Sequence, residues 1–372
     1  MKICMNKLVI SSDSFKGTLS SKEISDIFED VVFKQRSDVV VKKIVLADGG
    51  ENTLEVFAHH FPQGQYHYLE VTGPNWNKVH AKYFTYEDAA VIELAEASGL
   101  NLASIKNPRI TTTFGVGELI LDAYNNGFKK FYVALGGSSS NDGGCGLLSA
   151  LGIKFFDKDD KEFVPVGETI SNIKCINNKD LKVKDAEFNI LSDVNNPMFG
   201  PLGAAFTFAR QKGANDEDIE LLDDSLRYLK ELFIKHNGKH VENIPGAGAA
   251  GACASGMLVY LNAQISSGID TILDIIGFDT LIKDANYVVT GEGRLDSQSF
   301  NGKLISGVLK HTKKMGIPTI CICGTMEEGL SINEFHRVYQ TNESNQDFAY
   351  VKKHAKEMLV KTIEKLIKDI NL

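Results

Sequence analysis

Two short loops of this sequence combine glycine with charged side chains in a way that suits the handling of phosphate. Lys16 lies in the loop DSFKG, and Glu292, Arg294 and Asp296 alternate along GEGRLD. Phosphoryl transfer needs backbone N–H groups for the phosphates, a divalent metal held by carboxylates, and a cation on the transferring group. It also needs a group that orients or deprotonates the attacking hydroxyl. The two loops contain such charged groups, although a structural ion-pair network would use the same residue types.

The segment GGSSSNDGGCG, residues 136–146, is the least ordinary stretch of the chain. It follows an apolar run typical of a strand and precedes an apolar helix that begins near Leu147. Glycines let a backbone approach a ligand closely, and serine hydroxyls and helix N-termini donate to anions. We therefore predict an anion-binding loop whose members are Gly136, Gly137, Ser138, Ser139, Asn141, Asp142 and Gly143. The structural alternative is a strand-to-helix turn that is capped by the Asn-Asp pair.

Two further loops place acidic and amide side chains beside glycine or proline. ADGGE contains Asp48 and Glu51, and LSDVNNP contains Asp193, Asn195 and Asn196 after a strand predicted over 188–191. These groups suit substrate or metal binding. Turn-forming hydrogen bonds of Asp and Asn side chains before Pro197 are the competing explanation.

Several common catalytic motifs are absent from the sequence. There is no GxxxxGK[ST] segment, because the Gly302-Lys303 pair has no glycine at the required distance before it. The stretch GAGAAG, residues 246–251, matches GxGxxG, but it follows Ile244-Pro245 rather than a strand. It is either a weak indication of dinucleotide binding or the tightly packed start of a helix built from small residues. The nine histidines show no metal-ligand spacing.

The elements that must position these loops are strands alternating with helices. Apolar runs at 8–10, 39–47, 131–135, 287–290 and 319–323 end in polar loops, and helical patterns follow most of them. Such alternation predicts a largely parallel α/β sheet. Ligands of these sheets bind outside the carboxyl ends of the strands, where each of the loops above is expected.

The chain is long enough for two domains, since single cores stop growing at roughly 250–300 residues. It has 372 residues, and between 153 and 240 it becomes richer in charge, with KFFDKDDKEF as a predicted hairpin or excursion. The first and last strands end in similar polar loops, which favours a discontinuous domain. We predict one domain from residues 1–75 and 282–372, and an inserted domain over 76–281.

Composition narrows the class of protein further. The net charge of −8 disfavours a nucleic-acid scaffold, which is usually basic. No apolar run is long enough for a membrane span or a signal-peptide core, so we expect a cytoplasmic protein. Six cysteines are scattered without a CxxC pair, and we expect buried, reduced thiols, with Cys321 and Cys323 on one face of a strand.

Taken together, these segments resemble the bacterial glycerate kinases of the first type. The likeness runs from DSFKGTLSS to GEGRLDSQS through ADGGE, VTGP, IELAEASGL, TTFGVGELI, LGGSSSNDGGCGLLSALG, DVNNPMFGPLGAA and PGAGAAG, in the family's order. It covers residues 7–330. Asn52 stands where the family usually has glycine, Ser139-Ser140 where alanine-threonine is usual, and Cys253-Ala254-Ser255 where glycine is typical.

The resemblance implies a Rossmann-like parallel-sheet domain with a second α/β domain inserted, and an active site in the cleft between them. It implies ATP and Mg²⁺ as cofactors and D-glycerate as substrate, with 2-phosphoglycerate as the expected product and 3-phosphoglycerate as the alternative. Other classes left open are a glycerate-sensing regulator and a nicotinamide-dependent dehydrogenase. We expect no nucleic-acid or membrane partner, and a homodimer is one assembly the sequence allows.

Site roles follow from the resemblance and the loops together. Asp193, Lys16 and Arg294 are the predicted catalytic residues, and Asp193, Glu292 and Asp296 are the candidates for magnesium. Lys303 joins the 136–143 loop as a predicted nucleotide contact. The predicted substrate contacts are Asp48, Glu51, Asn195, Asn196 and Ser297. Which carboxylate accepts the hydroxyl proton stays open at this point.

Overall fold

The computed structural model describes residues 6–300, 302–342 and 346–370. The strands in these ranges are β1 (Asn6–Ile10), β2 (Val39–Lys43), β3 (Gln65–Thr72), β4 (Lys78–Tyr86), β5 (Ala89–Glu93), β6 (Lys130–Ala134), β7 (Lys154–Phe156), β8 (Glu162–Phe163), β9 (Cys175–Asn177), β10 (Glu187–Leu191), β11 (Gln264–Ser266), β12 (Tyr287–Leu295), β13 (Thr319–Met326) and β14 (Arg337–Gln340).

The α-helices of the same ranges are α1 (Ser21–Gln35), α2 (Thr53–His60), α3 (Ala95–Ser98), α4 (Phe114–Asn125), α5 (Cys145–Ala150), α6 (Ala204–Phe208), α7 (Asp216–Asn237), α8 (Ala249–Tyr260), α9 (Gly268–Ile275), α10 (Phe278–Ile282), α11 (Leu304–Met315) and α12 (Phe348–Asp369). Short 3₁₀ turns cover Gly167–Asn172, Arg210–Lys212 and Ser297–Phe300.

The chain divides into two compact units. The first comprises Met1–Asp48 and Ile269–Leu372, and the second comprises Gly49–Gly268. The predicted boundaries at 75/76 and 281/282 are therefore displaced. Residues 53–72 form α2 and β3, and β3 pairs with β4 in the sheet of the second unit. At the other boundary, Gly307 of α11 packs against Ile269, which places α9 with the first unit.

The first unit has a five-stranded sheet in the order β14-β13-β12-β1-β2, and every pairing is parallel. Counted along the chain, this order reads 2-1-3-4-5, the doubly wound arrangement of flavodoxin-like sheets. Such a sheet has its topological switch point between the first and third strands, where ligands bind. Here that point lies between β1, which leads into DSFKG, and β12. The predicted end of the latter strand at residue 290 is wrong, because β12 continues to Leu295 and so contains most of GEGRLD.

Alternating side chains of the first sheet pack on helices at both faces. Along β13, Ile320 and Ile322 join the core formed with α1 and α12, whereas Cys321 and Cys323 join the core formed with α11. The α1 helix begins at a full capping box, in which Ser20 and Glu23 bond each other's backbone N–H groups. The period-two alternation explains how one short strand supports two apolar layers.

The second unit has a six-stranded mixed sheet in the order β11-β10-β6-β5-β4-β3. Strands β11, β10, β6 and β5 are parallel, and the β3-β4 hairpin adds antiparallel strands at one edge. The parallel strands place the loops after β5, β6 and β10 at one edge of the sheet. Stacked Phe131 and Phe188, with ring centroids 4.9 Å apart, lie in the core beneath.

The expected excursion after residue 153 is a small antiparallel sheet in the order β8-β7-β9. Its β7-β8 hairpin corresponds to KFFDKDDKEF. Both α/β units agree with the predicted fold class. No helix among the described residues has the length and apolar character needed to cross a membrane.

Four of the five described cysteines are buried free thiols, but Cys175 is exposed, so the expectation of burial is wrong for that residue. Cys4 lies outside the described residues. The unusual Asn52 has a left-handed backbone with φ of +69° at the start of α2. Glycine adopts this conformation most readily and asparagine is among the next best residues, which explains why asparagine can stand there.

Candidate active site

In the first unit, the loop that follows β1 lies directly against the C-terminal half of β12, which contains the first five residues of GEGRLD. The backbone N–H of Asp13 donates to the carbonyl of Gly291 at 2.9 Å. A Cβ on Gly293 would lie 3.3 Å from both the backbone nitrogen of Lys16 and the Cα of Phe15. The glycine in GEGRLD therefore permits the close approach of the loop that carries Lys16.

A cavity of about 470 Å³ opens at this switch point. Its lining includes six residues that the sequence predicts as site residues: Lys16, Asp48, Glu292, Arg294, Asp296 and Lys303. Three of these are cations and three are carboxylates, which suits a ligand that combines phosphate with a divalent metal. Lys16, Asp48 and Arg294 are exposed.

The carboxylates of this cavity are held close to one another. Burial raises the pKa of Glu292, and the negative charges of Asp296 and Asp13 act in the same direction, against a hydrogen bond from Ser299 and the Lys303 ammonium. Burial likewise raises the pKa of Asp13, with nearby Asp48 adding to the effect and a hydrogen bond from Ser14 opposing it. A bound divalent cation would relieve this mutual repulsion.

Glu292 also leaves one carboxylate oxygen, Oε1, buried without a hydrogen-bond partner. An orphaned carboxylate oxygen beside the cations of this cavity fits a metal ligand. Among the described residues, no group of three or more acidic, histidine or cysteine side chains forms a ready-made metal cage. Mg²⁺ does not require one, because it keeps several waters and binds through one or two carboxylates plus substrate phosphates.

Asp296 shapes the turn that follows β12. Its Oδ1 accepts from the N–H of Gln298 at 2.9 Å, and its own N–H donates to Ser299 Oγ. Ser297 is exposed and its N–H donates to Glu327. The turn places Lys303 at the N-cap of α11, with its side chain in the cavity.

In the second unit, Asp142 organises the 136–146 segment, named the serine loop from here on. The carboxylate is fully buried and accepts four hydrogen bonds, from Thr113 N and Oγ1 and from the N–H groups of Gly144 and Gly146, at 2.8–3.2 Å. The prediction of Asp142 as a nucleotide contact is therefore corrected. Its oxygens are committed to the loop itself, as the capping alternative requires.

Lys212 is a functional candidate that sequence reasoning missed. Its ammonium is buried and donates to Ser138 Oγ at 2.9 Å and to Ser140 O at 2.7 Å, both neutral oxygens. Burial lowers the pKa of Lys212 to about 8, and Asp142 partly opposes the shift. In sequence, FARQKGA resembles an ordinary surface segment, so no local signal identifies this lysine as buried.

Two side chains of the serine loop keep unused hydrogen-bonding groups. Asn141 is 1% exposed, and neither its Nδ2 nor its Oδ1 has a partner. The buried hydroxyl of Ser140 is also without one. Ser139 differs, because its hydroxyl donates to Ser98 O at 2.8 Å and so serves the fold. Buried polar groups are normally satisfied, so Asn141 and Ser140 mark the loop's candidate ligand groups.

The small-residue stretch 246–251 supports the serine loop. Ala250, Gly251 and Ala252 have left-handed backbones, and Gly143 N donates to Gly251 O at 3.0 Å. A Cβ on Gly251 would clash with the Ser140 carbonyl and the Asn141 Cα. The stretch is buried against protein, which removes the dinucleotide interpretation of GAGAAG and with it the dehydrogenase alternative.

The ADGGE segment packs against the N-terminal end of the serine loop. A Cβ on Gly136 would clash with Gly50, and one on Gly137, where φ is +72°, would lie 3.1 Å from Glu51 Oε1. Glu51 is exposed beside Gly137. Nearby, Glu93 at the end of β5 is 5% exposed and accepts from Leu54 N at 2.7 Å.

Asp193 follows β10, as predicted. Its Oδ1 accepts from the N–H of Gly268 at 2.9 Å, which links the loops after β10 and β11. Asn196 donates to Leu202 O and Thr207 Oγ1, so its amide nitrogen has a structural role, while Asn195 is exposed.

Two α/β units with charged loops at the carboxyl ends of parallel strands define a class of small-molecule enzymes, and comparison with known proteins identifies the family. The glycerate kinase family matches residues 8–371. Curated glycerate kinases from Bacillus cereus and Bacillus subtilis are 38% and 36% identical, covering 87% and 86% of this chain and 87% and 85% of their own lengths. The glycerate 2-kinase of Escherichia coli is 36% identical over 89% of this chain and 88% of its own.

A solved structure gives the same result. The crystal structure of a proposed glycerate kinase 2 from Salmonella typhimurium LT2 matches with a TM-score of 0.83 and 32% identity, covering 97% of both chains. This chain therefore belongs to the glycerate kinase family, a family of phosphotransferases that act on an alcohol group.

Proposed function

We propose that this protein transfers the γ-phosphoryl group of ATP to D-glycerate, with Mg²⁺, and forms 2-phosphoglycerate. The observation that carries the proposal is the first-unit cavity, where three cations and several mutually repelling carboxylates meet at the sheet's switch point. The 2-hydroxyl is the proposed acceptor because the Escherichia coli relative is a glycerate 2-kinase. The proposed location is the cytoplasm, and a homodimer stays a prediction.

In the proposed mechanism, cations and backbone dipoles provide most of the electrostatic stabilisation of the transition state, as expected for phosphoryl transfer. Lys16 and Arg294 neutralise charge on the transferring group, and Lys303 binds phosphate at the start of α11. Glu292 and Asp296 would hold the magnesium ion. Mg²⁺ supplies charge neutralisation at the phosphate oxygens and helps to orient them.

The second unit supplies the groups for the acceptor. Asp193 accepts the hydroxyl proton, with its carboxylate oriented by the Gly268 N–H. The serine loop binds an anionic group through its backbone, Ser140 and Asn141, with Lys212 behind it. Ser138 Oγ is held by Lys212 and so supports that loop. Asp48, Glu51, Asn195 and Ser297 remain proposed substrate contacts.

A coupled assay of ADP release tests the proposal. ADP should appear only when MgATP and D-glycerate are both present, and EDTA should abolish the signal. Glycolate, lactate and hydroxypyruvate are the comparison acceptors. Tight glycerate binding without turnover would instead support a sensing regulator.

Phosphorus NMR of the product identifies the hydroxyl. A phosphate on C2 couples to one carbon-bound proton, and a phosphate on C3 couples to two. A doublet supports the proposed 2-phosphate, and a triplet would assign the 3-phosphate.

A further inference from the structure

The first-unit cavity has an apolar part that the proposed chemistry does not yet use. Phe348, the first residue of α12, lines it and is 59% exposed, although it is a large apolar side chain. Val351 and Ala355 line the same cavity from the following turns. These positions, three and seven residues along the helix, form one apolar stripe on α12.

The ring of Phe348 lies over the loop that carries Lys16. A Cβ on Gly17, where φ is +81°, would stand 3.0 Å from Phe348 Cζ. Glycine therefore lets the aromatic ring approach the residue next to Lys16. An exposed aromatic face beside a phosphate-binding cation is a combination that a small hydroxy acid cannot use, because glycerate has no apolar surface to place on a ring.

Neutral polar groups complete this side of the cavity. Thr325 lies in β13, and Thr341 and Asn342 follow β14. The Thr341 hydroxyl donates to Asn342 Oδ1 at 2.9 Å, which orients the amide. The volume of about 470 Å³ falls within the roughly 300–1,000 Å³ that is usual for small-molecule and cofactor pockets.

We infer that this cavity binds the nucleoside of the phosphoryl donor, with its base stacked on Phe348 and its edge facing the Asn342 amide. The inference rests on the proposed use of a nucleoside triphosphate. It assigns the base to the first unit, and it leaves the serine loop of the second unit for an anionic group. Every base has a π face, so stacking on Phe348 by itself does not select adenine.

Calorimetric titration of the full-length protein with MgATP and MgADP, without glycerate, tests the inference. Phe348→Ala should weaken both Kd values roughly tenfold, within the range that base–aromatic stacking provides. Phe348→Trp should restore or strengthen binding. Phe33→Ala is the matched control, because Phe33 is 68% exposed on α1 and does not line the cavity.

Tripolyphosphate, which has no base, serves as the second probe. Its affinity should be the same in wild type and Phe348→Ala, whose melting temperature should be unchanged. Equal weakening of ATP and tripolyphosphate would overturn the inference, because the ring would then act only through the Lys16 loop. Unchanged ATP binding in Phe348→Ala, or absence of ATP binding in wild type, would also overturn it. Phe348-dependent ATP binding without glycerate turnover would instead refute the proposed acceptor and leave the inference standing.

Discussion

The ammonium nitrogen of Lys212 lies 2.9 Å from the hydroxyl oxygen of Ser138 in the serine loop, whose own charged residue, Asp142, is fully buried. A buried lysine that bonds only neutral oxygens carries a large desolvation cost. The Lys212 ammonium also donates to the carbonyl of Ser140, so a positive charge lies next to the two consecutive residues with unused polar groups, Ser140 and Asn141. That charge favours an anion in front of them.

Lys212→Met should therefore raise the KM of an anionic substrate roughly tenfold or more, the size expected for losing hydrogen bonds from a charged group. Steady-state kinetics with D-glycerate and with ATP identify which substrate depends on the charge. The control is Lys239→Met, since the Lys239 ammonium likewise donates to carbonyls, those of Leu258 and Val259, and is not among the groups that contact the serine loop. A normal KM in Lys212→Met would make this lysine purely structural.

The pH dependence of KM gives an independent check on Lys212. Because burial lowers the pKa to about 8, the ammonium loses its proton as pH rises through that value. The KM of the wild type should rise above about pH 8, and in Lys212→Met this rise should be missing. The stability of the fold should rise over the same pH range, because the folded chain releases this proton near pH 8 and the unfolded chain keeps it up to the ordinary lysine pKa of 10.5. The destabilisation by the buried ammonium is complete below pH 8 and is relieved as the pH rises from about 8 to 10.5.

Asp193→Asn should lower kcat by at least about a hundredfold, the lower end of what a positioned acid or base contributes. The amide oxygen of asparagine can still accept from Gly268 N, so the fold should persist. The measurement is kcat and melting temperature on one preparation. Near-normal kcat with a loss of about 1 kcal/mol of stability would make Asp193 a turn-forming residue and move the base to Asp48, Glu292 or Asp296.

Gly137→Ala should impair turnover or raise KM, because a Cβ would crowd Glu51 and Ala95 beside the serine loop. Gly127→Ala is the matched control. Gly127 also has a positive φ, +98°, but a Cβ there would meet no atom within 4 Å. Both variants should lose about 1 kcal/mol from backbone strain, measured by denaturant unfolding. Equal kinetics in the two variants would reduce the serine loop to a plain turn.

Glu93→Gln should change how stability depends on pH. Burial raises the pKa of Glu93 to about 7, against the hydrogen bond from Leu54 N. Between about pH 4.5 and 7 the unfolded chain loses this proton while the folded chain keeps it, so stability falls as pH rises. Over this pH range the free energy of unfolding falls by about 3 kcal/mol in total. Unfolding free energies measured at pH 5 and pH 8 should differ less in Glu93→Gln than in the wild type.

The sequence predicts the strand-end loops well because their signals are local. An apolar run followed by DSFKG needs no tertiary information to be placed at the edge of a sheet. For GEGRLD the strand is predicted but its end is not, because β12 continues to Leu295 through pairing with β13. The sheet that a strand joins depends on tertiary pairing rather than on local sequence, and this is why the sequence places β3 in the wrong unit. Its alternating residues are compatible with either sheet, and only pairing with β4 decides.

Sequence reasoning missed Lys212 and Phe348 for the same reason, because tertiary contacts set the surroundings of both side chains. Lys212 is surrounded by polar neighbours in the sequence, and its burial depends on α6, α7 and the serine loop packing around a 3₁₀ turn. Phe348 looks like an ordinary first residue of an amphipathic helix, and its importance arises from its contact with Gly17, 331 positions earlier. Asp142 shows the converse, since a residue type that suits a ligand contact is used instead to hold backbone N–H groups.

The position of β1 between β2 and β12 has a consequence for the order of events during synthesis. Lys7 N donates to Asn286 Oδ1, a separation of 279 residues, so β1, an interior strand of the first sheet, must wait for its second neighbour until most of the chain has been made. Gly49–Gly268 contains all the strands of its own sheets and can complete them on the ribosome first. Growing chains therefore carry an exposed β1-β2 edge for most of translation, and with synthesis at about 5–20 residues per second that interval is on the order of tens of seconds.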